Sequence, residues 1–260
     1  MTSYVAIGSV CWDVVAGDAE RRLGGSVLFA SRLALAQGWD AHIVTSGTEE
    51  LERALRESMP DVKVTVQRSA VDTVFEFSAD ADLGPQRLAS AADPIDVSLV
   101  DLGIGADVVH LAPIMGEVTP AMVASVQGAP FVGITPQGML RATDATGALL
   151  RRPDLDAWWA AHVHAAVLSE DEYALVAEPS TLDRLALAIT RGERGCLGRQ
   201  GALEVDVAGI VLDHVSPVGT IGAGDVFAAA FFLALAGGAP FDEALRRANR
   251  TAADHVGGIT

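Results

Sequence analysis

The stretch that decides the fold reads Ser216-Pro217-Val218-Gly219-Thr220-Ile221-Gly222-Ala223-Gly224-Asp225-Val226-Phe227. Small residues at positions 222–224 stand directly before a long apolar segment that is predicted to be a helix. Glycines let the backbone turn tightly and let a ligand come close to it. The free N–H groups at a helix start, together with the helix dipole, favour an anion such as a phosphoryl group in transit. The stretch therefore predicts an anion site at a helix N-terminus.

Asp225 lies at the edge of this predicted anion site, and anion binding alone does not explain a negatively charged residue there. A carboxylate in that place can act as a base that accepts a proton from an attacking hydroxyl group. The structural alternative is that Asp225 only caps the helix N-terminus. Because a short glycine-rich turn is a weak signal by itself, the residues alone leave both interpretations open.

Upstream of this stretch, short apolar runs alternate with segments of helical periodicity. The first fifty residues read strand, loop, helix and strand, in the ranges 4–9, 14–23, 27–37 and 41–46. Later strands are predicted at 108–111, 131–134, 165–168 and 187–190, followed by an edge hairpin within 196–215. This alternation predicts an α/β fold in which helices cover both faces of a mainly parallel sheet.

Two further ranges, 62–66 and 73–77, alternate apolar and polar residues, so they predict half-exposed antiparallel strands. Helices are predicted at 49–58, 225–235 and 241–256. Since no internal repeat or linker divides the sequence, we expect one domain over residues 1–260.

Length, charge and composition limit the classes of protein to which the chain can belong. The chain has 260 residues, half of them apolar, which suffices for one large domain with a full hydrophobic core. A net charge of −16 argues against a nucleic-acid partner. The sequence shows neither an apolar run of the ~20 residues that span a bilayer nor a secretion signal, so we expect a cytoplasmic protein without a membrane partner. Lys63 is the only lysine, which excludes a P-loop.

The sequence resembles the ribokinase-like (PfkB) carbohydrate kinase family, whose carboxyl-terminal signature is roughly Asp-Thr-x-Gly-Ala-Gly-Asp-x-Phe. Residues 222–227 match this signature, and three alanines follow it. Four more motifs occur in the family's order: Gly8 with Asp13, Gly24-Gly25 before a helix, Thr190-Arg191-Gly192-Glu193-Arg194-Gly195, and Ala248-Asn249. The resemblance implies a three-layer α/β/α sandwich with a mainly parallel central sheet. It also implies a reduced β lid, formed by about residues 14–23 and 62–92.

The resemblance implies roles for the residues around the alcohol substrate. Asp225 would be the catalytic base. The amides of an anion hole beside it would be those of Gly222, Ala223 and Gly224. Asp13 would accept hydrogen bonds from substrate hydroxyl groups, as its two oxygens permit. Gly24 and Gly25 would let the substrate approach the backbone.

For the phosphoryl donor, the resemblance implies ATP with Mg²⁺. The residues that would line the nucleotide are Thr190, Gly192, Gly195, Thr220 and Asn249. Glu172 fits the glutamate of the family's Asn-x-x-Glu motif, which organises hydrated Mg²⁺, whereas Ser169 replaces the asparagine. The alternative for this acidic segment is a solvated helix start.

Two departures from the family pattern concern the cation and the substrate. Gly219 replaces an aspartate that helps several members to bind a monovalent cation, so activation by K⁺ is in doubt. Phe29 replaces an asparagine that contacts the sugar, so the substrate must present different chemistry there. The segment Pro136-Gln137-Gly138, followed by Arg141, resembles a segment found in a branch of the family that includes inositol-kinase-like proteins. Arg141 could bind phosphate as a fixed charge, or be a surface arginine at a helix start.

The expected function is transfer of the γ-phosphate of ATP to a hydroxyl group of a small sugar or polyol, with Asp225 as base. The expected partner is therefore a small-molecule alcohol, and the reduced lid leaves a monomer and a homodimer open. A nucleoside kinase is an alternative, because Phe29 could pack against a base. A catalytically silent nucleotide-binding protein of the same fold is another alternative, because Gly219 replaces an aspartate, Ile221 replaces a threonine and Ser169 replaces the asparagine of the family motifs.

Overall fold

A computed structural model describes residues 2–18, 20–78, 85–102, 105–215 and 220–258. The strands in these ranges are β1 (Ser3–Ile7), β2 (Cys11–Val15), β3 (Arg22–Gly24), β4 (Asp40–Gly47), β5 (Lys63–Arg68), β6 (Thr73–Phe77), β7 (Pro85–Ser90), β8 (Val108–Leu111), β9 (Phe131–Ile134), β10 (Arg141–Thr143), β11 (Leu149–Arg151), β12 (Ala165–Ser169), β13 (Ala186–Thr190), β14 (Gly195–Gln200) and β15 (Leu203–Ala208). The α-helices are α1 (Ser26–Ala36), α2 (Glu49–Ser58), α3 (Pro120–Val126), α4 (Glu170–Tyr173), α5 (Ala223–Ala236) and α6 (Phe241–Val256).

The main sheet has nine strands within the described ranges, in the order β15-β14-β13-β12-β9-β8-β1-β4-β5. The strands from β13 to β5 are parallel, whereas β14 and β15 form an antiparallel hairpin at one edge. Its central strands are almost wholly buried, as strands of a sheet covered on both faces must be. The predicted α/β sandwich with a mainly parallel sheet is confirmed.

Two hydrophobic clusters lie on opposite faces of this sheet. One cluster joins α1, α2, α5 and α6 to the strands. The other contains α3 and the segments around the 3₁₀ helices Val97–Leu102 and Trp158–His162. Helix α5 packs against both α1 and α6 and is apolar on nearly every side, which explains its almost complete burial. This packing fixes the position of the N-terminus of α5, where the anion site is predicted.

A second sheet of the described chain has four strands, in the order β3-β2-β6-β7. It contains the described part of the predicted lid, apart from β5; residues 19 and 79–84 of that lid lie outside the described residues. The prediction of antiparallel strands at 62–66 and 73–77 is wrong in two respects. Strand β5 is an edge strand of the main sheet and pairs in parallel with β4. Strand β6 pairs in parallel with β2 and antiparallel only with β7.

The physical reason for this error is that the alternating pattern reports one buried face and carries no information about the partner strand. Val62 and Val64 are buried in the hydrophobic cluster of the main sheet that contains α2. An edge strand with only one face covered by helices therefore shows the same alternation of apolar and polar residues as a lid strand. Among the described helices, none is long and apolar enough to cross a membrane.

Candidate active site

The predicted anion site forms a tight turn at the start of α5. Gly222 is the N-cap of this helix, with φ 77° and ψ 0° in the left-handed region, and it makes no side-chain cap bond. Asp225 lies in the first helical turn. The interpretation of Asp225 as the N-cap is therefore wrong, because Gly222 takes that position and leaves the carboxylate free for another role. The first N–H groups of the helix lack intrahelical acceptors, which makes them possible donors to an anion. That of Ala223 also makes a long bond of 3.4 Å to the Thr220 carbonyl oxygen.

A cleft of about 290 Å³ opens beside this turn. Its wall brings together predicted residues that are far apart in the sequence, namely Asp13, Gly25, Phe29, Arg141, Thr220, Gly222 and Asp225. Strands β2 and β6 of the small sheet supply one side of the wall. The start of α1 and the turn before α5 supply another. Most of the predicted catalytic and substrate residues thus face one common space, whereas Gly24, Ala223 and Gly224 do not line it.

The half-buried carboxyl group of Asp225 has a pKa that is raised to about 6. The main cause is burial, which disfavours the charged form, and the nearby charge of Glu172 adds to it. A hydrogen bond from the Ser26 hydroxyl group and the positive charge of Arg141 act in the opposite direction. Because burial outweighs these contacts, Asp225 is a stronger base than an exposed aspartate.

Asp13, on strand β2, also has a pKa raised to about 6 by burial. A hydrogen bond from Cys11 Sγ to Oδ1, 3.4 Å long, and the charge of Arg141 lower the pKa in part. Gly24 lies directly against this carboxylate, since a Cβ atom on Gly24 would be 2.1 Å from Asp13 Oδ2. Gly24 therefore makes room for the Asp13 side chain, whereas the Gly25 backbone itself lines the cleft.

Arg141 supplies positive charge to the cleft. It is half-buried at the start of β10, so the interpretation as a surface arginine at a helix start is wrong. Its Nη1 donates to the Ile114 carbonyl oxygen at 3.0 Å, and its guanidinium carbon lies 5.4 Å from the centroid of the Phe75 ring. Burial lowers the pKa of Arg141, and the charges of Glu172 and Asp225 raise it. These contacts hold a fixed cation between acidic groups.

The predicted nucleotide residues lie apart from this cleft, except Thr220. Thr190 ends β13, and Gly192 and Gly195 flank a 3₁₀ helix with φ values of 58° and 88°. The buried side chain of Asn249 donates from Nδ2 to the Ala208 carbonyl oxygen at 3.0 Å. Its amide group therefore ties α6 to the end of β15, and a direct contact with a nucleotide stays a prediction.

Glu172 forms a capping box with Ser169 at the start of α4. Ser169 N donates to Glu172 Oε2 at 2.7 Å, and Glu172 N donates to Ser169 Oγ at 3.2 Å. The alternative of a helix start is thus correct for the segment, although the charge of Glu172 also acts on Arg141 and Asp225. Within the described ranges, no group of three or more His, Cys, Asp or Glu residues is placed to hold a metal ion directly. A hydrated Mg²⁺ that Glu172 holds through water stays a prediction.

Sequence reasoning missed two residues that shape the cleft. Ser26 contacts Asp225, and its only sequence signal is a small polar residue after the diglycine. Glu117 is buried, and its carboxylate accepts hydrogen bonds from the backbone N–H groups of Ser9 (2.7 Å), Ile114 (2.9 Å) and Met115 (2.7 Å). An acid between apolar neighbours gives no hint of such a role. Gly219 lies outside the described residues.

Comparisons with known proteins agree with this architecture. Residues 142–257 match the model of the pfkB family of carbohydrate kinases. Ribokinase of Bacillus subtilis (strain 168) is 38% identical over an alignment of 97 residues that covers 34% of this chain and 32% of that protein. The chain thus spans about a third of the length of the curated relative that it matches.

Solved structures match over nearly the whole chain. One is a pyrophosphate-dependent kinase in the ribokinase family, complexed with a pyrophosphate analog and myo-inositol. It has a TM-score of 0.81 and 20% identity, over 97% of this chain and 94% of that one. Another is the ribokinase of Arabidopsis thaliana complexed with ribose and ATP, with a TM-score of 0.72 and 17% identity, over 98% and 92% of the two chains. The resemblance to the ribokinase-like (PfkB) family is confirmed, and the fold is that of its kinases.

Proposed function

We propose that the chain transfers the γ-phosphate of ATP to a hydroxyl group of a small sugar or polyol. The observation that carries the proposal is the meeting of Asp225, Asp13 and Arg141 in one cleft beside the N-terminus of α5. A base, a hydroxyl-binding carboxylate, a fixed cation and free helix N–H groups are the parts that phosphoryl transfer to an alcohol needs.

Asp225 is proposed as the general base. With a pKa of about 6, most copies of its carboxyl group are ionised at pH 7. The base is therefore ready at neutral pH, and it holds a proton more firmly than an aspartate of ordinary pKa. It takes the proton of the substrate hydroxyl group as the oxygen attacks the phosphorus, and this makes the oxygen a better nucleophile.

The negative charge on the phosphoryl group would be offset by two features of the chain. The N–H groups at the start of α5 form the proposed anion hole, and Arg141 adds a full positive charge. Mg²⁺ would supply further neutralisation on the donor phosphates, and Glu172 would hold it through water. Both protein features are held by the fold, through the burial of α5 and the hydrogen bond from Arg141 to Ile114, so they would need little reorganisation during the reaction.

The dimensions and lining of the cleft favour a small alcohol over a nucleoside. A volume of about 290 Å³ lies at the lower end of the range for ligand pockets, roughly 300–1,000 Å³. Asp13 can accept hydrogen bonds from hydroxyl groups, and the rings of Phe29, Phe75 and Phe77 can pack against the C–H faces of the substrate. A sugar or cyclic polyol presents both kinds of surface.

A coupled assay of ADP release over sugars, inositols, other polyols and nucleosides tests the proposal. Pyrophosphate belongs in the donor panel, with phosphate release as the readout, because one similar structure is described as a pyrophosphate-dependent kinase. We expect ATP-dependent turnover with at least one small alcohol. Measurable ATP binding without turnover on the whole panel would favour the silent alternative.

The variant Asp225→Asn tests the base. We expect kcat to fall by about two or more orders of magnitude, with fold and ATP binding retained. The matched control is Asp183→Asn, which removes an exposed carboxylate at the end of a 3₁₀ helix and should leave kcat unchanged. Turnover of Asp225→Asn at the wild-type rate would refute the assignment.

A further inference from the structure

The last turn of α6 brings His255 against the turn that precedes α5. The Nε2 atom of His255 lies 2.9 Å from the carbonyl oxygen of Ile221. Because a carbonyl oxygen can only accept, Nε2 is the donor in this contact. Ile221 is followed directly by Gly222, whose amide is the first of the proposed anion hole. An imidazole group thus holds the backbone one bond away from a catalytic N–H group.

The contact determines the orientation of the Ile221–Gly222 peptide unit. A trans peptide is planar, and its C=O and N–H groups point in opposite directions. The described residues contain no cis peptide bond. Gly222 and Ile221 line the cleft, whereas His255 is outside its wall. When the Ile221 carbonyl points to His255, the Gly222 N–H group must therefore point away from α6.

The turn has little else to hold this orientation. The φ of 77° and ψ of 0° at Gly222 are those of the third position in a type II turn. Asp154 is the one non-glycine residue in the described ranges with positive φ, so Ile221 has an ordinary φ. A type I turn differs mainly by a flip of this same peptide, and glycine tolerates both forms. The bond of the turn itself, from Ala223 N to the Thr220 carbonyl oxygen, is long at 3.4 Å.

His255 also contacts the aromatic ring that packs on the turn. The rings of His255 and Phe29 meet edge to face, with centroids 6.1 Å apart and planes at 78°. Phe29 lies directly on Gly222, since a Cβ atom on Gly222 would be 2.4 Å from Phe29 Cγ. His255 therefore supports both the peptide and the ring that covers it.

We propose that His255 is a positioning residue that holds the Ile221–Gly222 peptide with its N–H group available to the transferred phosphoryl group. The proposal rests on the proposed function for its effect on turnover. It assigns the last turn of α6 a part in the reaction, although His255 does not line the cleft.

Two variants of His255 separate this role from simple packing. His255→Leu keeps the bulk and removes the donor, whereas His255→Gln places an amide N–H near the position of Nε2. We expect the leucine variant to lose about tenfold to a hundredfold in kcat, somewhat less than the loss of a whole oxyanion-hole donor, with KM for the alcohol little changed. The glutamine variant should recover most of kcat.

The matched control is His162→Leu. His162 also makes one side-chain hydrogen bond, between its Nδ1 atom and Gln127 Oε1 at 3.2 Å. It precedes β12 and therefore lies at the opposite end of the sheet. Its kcat should equal that of the wild type. Equal losses of kcat and of melting temperature in His255→Leu and His255→Gln would overturn the proposal, because packing alone would then explain both.

A second measurement does not depend on turnover. The ¹⁵N–¹H resonance of Gly222 is followed while inorganic phosphate is added to the full chain. We expect a shift in the wild type and in His255→Gln, and a much smaller one in His255→Leu. If the leucine variant does not fold, His255→Asn replaces it, because its amide is too short to reach Ile221. The same shift in all variants, or none in the wild type, would overturn the proposal. A wild type that shifts but turns over no alcohol would contradict the proposed function alone.

Discussion

Replacing Gly222 with alanine places a methyl group where the Phe29 ring already lies. The ideal Cβ atom would be 2.4 Å from Phe29 Cγ and 2.5 Å from Cδ1, well inside van der Waals contact. The φ of 77° adds backbone strain, because this left-handed region costs residues other than glycine about 1–2 kcal/mol. Overpacking of a well-filled site costs about 1–3 kcal/mol. The expected loss in the free energy of unfolding is therefore about 2–5 kcal/mol.

Urea denaturation measures this loss, and Gly224→Ala is the matched control in the same turn. A Cβ atom on Gly224 would meet nothing within 4 Å, and Gly224 has no positive φ. The control should be neutral or slightly stabilising, because alanine favours a helix more than glycine does.

The double variant Gly222→Ala with Phe29→Ala isolates the contact. Truncation of the ring should remove the clash and leave the backbone strain, so the two changes should couple by about 1–3 kcal/mol. Our account of this turn would be refuted if Gly222→Ala were as stable as Gly224→Ala. It would also be refuted if the double variant showed simple additivity.

Two further predictions concern titration and a buried acid. The ionised carboxylate of Asp225 is disfavoured in the folded state, since its pKa of about 6 lies above the ordinary value of 3.8. Stability therefore falls as the pH rises from about 4 to about 6, and the full loss remains at higher pH. Asp225→Asn should therefore melt at a higher temperature than the wild type at pH 7, with the difference shrinking as the pH falls towards 4; a constant difference would contradict this pKa. Glu117→Gln should cost about 1–3 kcal/mol in unfolding free energy, because its amide NH₂ cannot accept one of the three backbone N–H bonds. Its KM for the alcohol should rise, since Ile114 lines the cleft, whereas exposed Glu57→Gln should change neither quantity.

Much of the fold could be predicted because the signals are local. Short apolar runs between helical segments require a covered parallel sheet, and the helices predicted at 49–58 and 241–256 match α2 and α6. The strand at 62–66 could not be placed, because the identity of its partner depends on contacts distant in sequence. Its alternation fits an edge of the main sheet as well as a lid.

The candidate site shows the same division. The family resemblance predicted Asp13, Arg141 and Asp225 as site residues, and the fold places them in one cleft. Their electrostatic state could not be predicted, since burial and the charges of neighbours set the pKa, and both follow from folding. The same holds for Ser26 and Glu117, whose contacts cross from one segment of the chain to another.

The amino-acid sequence of this protein thus determines the type of fold and the glycine turn at the start of α5, and it predicts an anion site and a base there, because glycine turns and helix N-termini act over a few residues. The tertiary structure decides how that turn is held. His255 donates to Ile221 across 34 residues, and Phe29 packs on Gly222 from another helix. Neither contact leaves a mark in the local sequence, because each forms only when α1, α5 and α6 pack together on the sheet.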